Sequence, residues 1–460
     1  MTEPTVPSAA APPPPPKKKS TVRHTRAIQR DRSKRPTVAP PAAEIQARLA
    51  EVVQPAVYAQ VAAYQAMGLR HRLLTLPVMG AFVLSLLWRH LGSVAEAVRV
   101  LQQEGVLWTP PLDVSPQAVN QRLRTLPPAL FAGVLADVLP QMRARWQART
   151  RAGERPLPPV LARARQHFTA ILAVDGSTLD ALLRKVGLLR EGEGPVLAGR
   201  MAALLEVASC LPRQVWYEAD SRAHDQRFWG AILAALAPGT LLLFDLGFLN
   251  YPRFDELTDR DVRFVTRVKT NTAYRVERTL AWAADRFEQL VWLGSGSTRC
   301  AHLLRLVGVR RGGPGGPWQR YLTNVLDPQA LSLEDVVALY GLRWRMEDAF
   351  TLVKRLLGLA YFYAGAVNAV QTQLWMTWLL YAVLVDLTDA VAAALRRPYA
   401  AVSLEMVYRG LYHFTQAAHR GPAADPVAYL AARAKALGLL KRPRRRPSDQ
   451  FGHLTPAQGP

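Results

Sequence analysis

Two short apolar runs in this chain each end in an aspartate. Residues 168–174 (FTAILAV) lead into Asp175-Gly176-Ser177, and residues 240–244 (TLLLF) lead into Asp245. If the two runs are neighbouring strands of an α/β sheet, both carboxylates emerge at one edge, in the crevice where such folds hold their sites. Two acids there do not both stay ionised cheaply without a cation, and hard divalent ions take oxygen ligands. Either Asp alone also reads as an ordinary turn former after a strand. A third acid comes from a helical pattern further on. At about 100° per residue, Tyr340, Arg343, Glu347 and Lys354 fall on one stripe roughly 60° wide. Leu342, Met346, Val353 and Leu356 lie on the other side, which becomes the packing face. Glu347 is then a carboxylate among phosphate-binding groups, with a plain ion pair to Arg343 as the simpler alternative.

The elements that must position these residues follow from periodicity. Residues 43–151 carry apolar residues three and four apart, a helical pattern. Within it, 93–103 can form one helix. Ser115 caps a second with Pro116 in its first turn, and this helix carries Gln117, Asn120, Gln121, Arg122 and Arg124. Amide and guanidinium side chains on a short capped helix suit reading of DNA bases, and an ordinary amphipathic helix is the competing reading. Residues 201–209 and 214–218 pattern as a hairpin, 224–236 as a helix, 251–257 as a short helix and 262–268 as a strand. The order predicts a mixed α/β sheet. Residues 303–309 and 319–325 are strand-like around the glycine-rich turn at 312–316, which predicts a β-rich insertion. Helices are expected over 333–357, 375–385, 404–414 and 426–439. The division expected is a disordered basic and Pro-rich tail (1–42), a helical DNA-binding domain (43–160), a catalytic core in two parts (161–270 and 331–395) around the insertion (271–330), C-terminal helices (396–440) and a basic tail (441–460).

Charge and composition set the partner class. Lys and Arg number 58 against 35 Asp and Glu, for a formal net charge of +23. The first 36 residues and Lys441–Pro447 supply twelve of those charges, so the body stays basic without its tails. That balance suits a polyanion, because each neutralised phosphate releases condensed counterions. The two cysteines, Cys210 and Cys300, have no metal-ligand spacing, which fits a reducing cytoplasm and excludes a disulfide scaffold. The longest apolar run, 374–385, is too short to span a bilayer and stops at Asp386 and Asp389, so it reads as a buried core helix and no membrane partner is expected.

The stretch YGLRWRMEDAFTLVK, Tyr340 to Lys354, resembles the Tyr-(2)-Arg-(3)-Glu-(6)-Lys motif of bacterial insertion-sequence transposases, in the branch usually numbered four. VDGS at Asp175 is similar to that family's first-Asp strand, and FDLGF at Asp245 to its second site. FVTRVK, 264–269, resembles the strand that follows, and YLTNV, 321–325, the one before the Glu helix. The resemblance covers about residues 90–390. It implies a ribonuclease-H-like core in which Asp175, Asp245 and Glu347 hold two Mg²⁺ or Mn²⁺ ions for DNA cleavage and joining. It further implies phosphate contacts from Tyr340, Arg343 and Lys354, recognition of terminal inverted repeats and target DNA, and a homodimer in a synaptic complex at the bacterial nucleoid. Trp344 sits where some relatives stack an indole on a displaced base, with core packing as the alternative. Trp282, Trp292 and Trp318 are candidates for a further such aromatic.

Overall fold

Both faces of the central strands must be covered, because residues of either parity are apolar. In strand β1 (Ala170–Leu179), Ile171 and Ala173 join one buried cluster while Leu172 and Val174 join another. The same split separates Leu241 and Leu243 from Leu242 in β4 (Thr240–Leu243). Sheets buried on both sides read as continuous apolar runs, which is why these strands were visible in the sequence. The computed structural model describes residues 43–69, 72–179, 199–220, 223–296, 299–312, 315–359, 362–421 and 423–441. The expected tail 1–42, and all but the first residue of the tail 441–460, lie outside them.

Between β1 and β4 run β2 (Gly199–Glu206), β3 (Pro212–Glu218), a 3₁₀ turn at Asp225–Phe228 and a helix at Trp229–Ala234. A helix at Tyr251–Asp259 leads into β5 (Arg263–Arg267), followed by β6 (Tyr274–Trp282), β7 (Arg286–Leu293), β8 (Leu304–Arg310) and β9 (Trp318–Thr323). They form one nine-stranded mixed sheet in the order β3-β2-β1-β4-β5-β9-β8-β7-β6. The β1–β4 and β4–β5 pairs are parallel; the others are antiparallel. The strands of the expected insertion therefore continue the core sheet, through β9 on β5, instead of standing apart from it. The run 274–282 gave no strand signal because β6 is an exposed edge carrying Arg275, Glu277 and Arg278.

Helices cover the sheet. In chain order, those preceding β1 are α1 (Ala43–Ala59), α2 (Val61–Ala66), α3 (Leu76–Trp88), α4 (Val94–Gln103), α5 (Pro116–Thr125), α6 (Ala129–Arg151) and α7 (Pro159–His167). The helices at Trp229–Ala234 and Tyr251–Asp259 are α8 and α9. After β9 come α10 (Leu333–Leu342), α11 (Trp344–Thr351), a π-helical segment at Leu352–Leu356, α12 (Val367–Ala394), α13 (Leu404–His419) and α14 (Pro426–Ala432). Helix α12 packs against α6, α3 and α5, so the segment 43–160 shares a hydrophobic core with the C-terminal helices.

Two expectations are corrected here. The apolar run at 374–385 is the middle of a 28-residue helix. By length and composition it could cross a bilayer, but 83% of its apolar window is buried in the protein. Asp386 and Asp389 do not end it, because Arg145, Arg149 and Arg155 neutralise them. The helix expected over 333–357 is interrupted at Arg343, where Arg343 N–H donates to Tyr340 O and Met346 N–H to Arg343 O, three residues back in each case. It then widens into the π-helical segment.

Candidate active site

Strand register brings the two aspartates together. The last β1–β4 pair is Ala173 with Leu243, so Asp175 and Asp245 each lie two residues beyond it. They part company there. The turn expected at Asp175-Gly176-Ser177 is absent, because β1 continues to pair with β2 as far as Leu179, Asp175 lying opposite Ala203. Chain β4 instead ends and turns, with Asp245 capping a 3₁₀ turn by accepting from Gly247 N–H at 2.8 Å. The two backbones diverge at this end of the sheet, the end at which α/β folds hold their sites, and both aspartates lie where they part. Burial, and next the charge of Asp245, push the Asp175 carboxyl up to about 7; Arg343 pulls the other way and Asp225 adds to the rise.

At the helix break Arg343 reaches the aspartate end of β1. Its guanidinium donates to Asp175 Oδ2 at 3.2 Å and to Glu347 Oε1 at 2.8 Å. The side chain is buried, and its Nε has no hydrogen-bond partner among the described residues. The Tyr340 ring lies 5.6 Å from the guanidinium carbon and the Trp344 ring 6.0 Å. Lys354, on the π-helical segment, donates to Thr178 O of β1 at 2.6 Å. Tyr340 packs edge-on against Tyr321 of β9, and burial raises its phenol above the ordinary range. Trp344 is 59% exposed, so core packing does not account for it.

Asp175, Asp245, Glu347, Tyr340, Arg343, Trp344 and Lys354 thus converge on one end of the sheet. Asp175 and Asp245 suit a divalent cation by their chemistry: two half-buried carboxylates at one end of the sheet, the charge of one raising the cost of ionising the other. Glu347 is joined to Asp175 through Arg343 and not through a shared ligand position. Among the described residues no three His, Cys, Asp or Glu side chains stand close enough to hold one ion.

Asp225 escaped sequence reasoning. Its carboxylate lies over Gly176, where a Cβ would come 1.9 Å from Oδ1, and beside Gly247, where a Cβ would come 3.3 Å from Oδ2. Arg200 of β2 holds Oδ1 through Nε at 2.8 Å and Nη2 at 2.6 Å. The next residue, Gln226, donates to Gly247 O at 3.0 Å and Leu249 O at 3.3 Å. The turn at 224–226 therefore braces the backbone beside both aspartates. The available signal was a glycine directly after Asp175 and another two residues after Asp245, but glycine does not name what fills the space beside it.

On α5, Gln117, Gln121 and Arg124 are exposed, and Asn120 is half-buried. Arg122 points inward. Its Nε donates to Leu74 O at 3.0 Å, its Nη2 to the Tyr64 hydroxyl, and its guanidinium lies over the Tyr64 ring. This residue is an anchor for the helix, and its expected place on a base-reading surface is corrected. Of the three insertion tryptophans, Trp292 donates to Glu277 and Trp318 is half-buried under Arg310, while Trp282 is 65% exposed. At about 4.8 Å per strand, five strand spacings put β6 roughly 24 Å from β4, far from Asp245.

Residues 199–383 match the family described as Transposase DDE domain, a span that holds Asp245 and Glu347 and begins after Asp175. Over 186 residues the chain is 29% identical to "Putative transposase y4zB" of Sinorhizobium fredii (strain NBRC 101917 / NGR234). The aligned stretch covers 39% of this chain, and the chain spans about half, 49%, of that relative's length. A solved structure, the piggyBac transposase synaptic complex with hairpin DNA, is similar over 86% of this chain and 84% of its own, at 10% identity and a TM-score of 0.33.

Proposed function

We propose that this chain is a DNA transposase of an insertion sequence, acting on bacterial DNA in the cytoplasm by cutting and pasting strands at terminal inverted repeats. The observation that carries this reading is the placing of Asp175, Asp245 and the Arg343–Glu347 pair at one end of the sheet, with Arg343 bonded to Asp175 and Glu347 alike. The match over residues 199–383 and the relative named as a transposase support it. The strand order β3-β2-β1-β4-β5, with three antiparallel strands followed by two parallel ones, supports a ribonuclease-H-like core.

In this reading Asp175, Asp245 and Glu347 hold two Mg²⁺ or Mn²⁺ ions. Bound there, such ions supply an activated oxygen nucleophile and stabilise the leaving oxygen of an in-line displacement. The chain's own residues do the rest. The sheet keeps two carboxylates at one end, and Arg343 and Lys354 offer a planar fork and a point charge to phosphates beside the cut. Tyr340 backs the guanidinium, and the exposed Trp344 offers a stacking face for a displaced base. Gln117, Asn120, Gln121 and Arg124 are the proposed repeat-reading residues, and two copies pair around two DNA ends.

The test is cleavage of a plasmid bearing the element's ends in Mg²⁺. Wild type is expected to nick and then join strands, and Glu347→Gln to lose both by about a thousandfold or more, since it removes a metal-binding oxygen charge. Cleavage that survives the substitution refutes the assigned role of Glu347. A second reading, a protein that binds DNA without cutting, is favoured by Glu347 being engaged to Arg343 rather than grouped with the aspartates. A binding shift indifferent to Mg²⁺, with no strand scission, selects it.

A further inference from the structure

Arg343 is bonded to two of the three proposed acids, and its surroundings are unusual for a residue whose proposed task is to meet DNA. Its side chain is buried, one ion pair goes to Asp175 and the other to Glu347, and Nε is left without a partner among the described residues. It stands where the helix is broken, between the Tyr340 and Trp344 rings. Resting on the metal-dependent reading above, we propose that Arg343 is a positioning residue that acts through Asp175 and Glu347. In the DNA-free protein its guanidinium takes the place of a divalent cation between these two carboxylates, and a DNA phosphate draws it away.

The reasoning is electrostatic. A carboxylate oxygen that accepts a charge-assisted hydrogen bond at 2.8 Å offers that lone pair to no ion. A divalent cation entering between Asp175 and Glu347 must break both pairs and oppose the charge that made them. Departure of the guanidinium alone would leave the largely buried Asp175 carboxylate and its half-buried neighbour Glu347 uncompensated, so the two events favour one another. A guanidinium is planar, weakly hydrated and matched to two oxygens of a phosphate, which makes DNA the competitor able to draw it off. The exposed Trp344 ring lies 6.0 Å from the guanidinium carbon, so solvent-facing surface is close to it. Metal and DNA binding are then coupled, each raising affinity for the other by the same factor. A strand-cutting enzyme built this way assembles its acids fully only on its substrate.

Calorimetric titration of Mn²⁺ into the full chain tests this directly, without reference to cleavage. In the absence of DNA, Arg343→Gln is expected to bind Mn²⁺ about tenfold more tightly than wild type, within the usual span of coupling between sites. Saturating duplex DNA should tighten wild-type binding toward that of the variant and leave the variant unchanged. Equal or weaker binding by a folded Arg343→Gln chain overturns the proposal. Should the variant fail to fold, the wild-type arm decides: Mn²⁺ affinity indifferent to DNA overturns it as well. Asp175→Asn separates the two levels of inference. Mn²⁺ binding that requires Asp175 but ignores Arg343 sinks this proposal alone. Absence of any Asp175-dependent binding, with and without DNA, sinks the metal reading together with it.

Discussion

At the scale of single residues, the protein holds a costly carboxylate and a costly absence of side chain next to one another. Asp175 has its pKa raised from the ordinary 3.8 to about 7 by burial and by Asp245. The folded chain then keeps a proton that the unfolded chain releases, so stability falls as pH climbs from about 4 to about 7. In chelator, Asp175→Asn is therefore expected to melt above wild type near pH 8 and to lose that advantage near pH 4, as scanning calorimetry would read. A variant less stable than wild type at the higher pH contradicts the account. Gly176 makes the complementary case. A methyl group there meets the Asp225 carboxylate, which two bonds from Arg200 keep from retreating. Gly176→Ala should cost about 1–3 kcal/mol by overpacking. Gly230→Ala, in a helix with open space around it, should be neutral or slightly stabilising. Urea titration of the two variants compares them.

At the scale of elements, helix α5 shows how one face is divided between support and display. Val119 and Leu123 bury its inner side, and Arg122 extends that side by bonding Leu74 O and Tyr64. Gln117, Gln121 and Arg124 are four and three residues apart and remain exposed together. Arg122→Ala is expected to lower stability by about 1–3 kcal/mol, because it removes the hydrogen bonds to Leu74 O and the Tyr64 hydroxyl and the packing over the Tyr64 ring. Arg124→Ala should leave the melting temperature within a degree or so of wild type and weaken DNA binding in a gel-shift titration. Equal effects of both on binding, with no effect on stability, would return Arg122 to the reading surface. The helix carrying Glu347 is divided in another way: the break at Arg343 brings its fork to Asp175, and the π-helical segment carries Lys354 to the end of β1.

At the scale of the whole molecule, the helices before the sheet and those after it are joined through α12. Asp389 lies buried on that helix and receives Arg149 at 2.7 Å and Arg155. Asp386, one turn earlier, receives Arg145 at 3.3 Å and Arg149. Removing one partner of such a network strands the other charge out of water, which is far costlier than never having placed the pair there. Asp389→Ala should accordingly destabilise the chain by about 3–5 kcal/mol, with the transition broadening if the helices preceding β1 melt apart from the sheet. A shift within the range of a surface ion pair would mean that water reaches the network.

The sequence alone contained much of the outline of the proposed site. Strands β1, β4 and β5 were legible because double burial demands unbroken apolar runs, and an Asp directly follows the apolar run of each of the first two. The spacing from Tyr340 to Lys354 put Glu347, the proposed third acid, on one stripe with its basic neighbours. What one dimension could not carry was pairing. Whether β1 stops at Asp175 depends on β2, which lies more than twenty residues away and keeps it extended to Leu179. Whether Asp386 ends a helix depends on arginines about 240 residues away. The ion pair of Glu347 with Arg343, four residues back, was one of the two readings the wheel offered and the folded chain has it, but that the same guanidinium also reaches Asp175 depends on where β1 passes. Apolar pattern is a property of each segment and survives reading in isolation; charge compensation, strand continuation and the filling of the space beside a glycine belong to pairs of segments, and only the folded chain decides them.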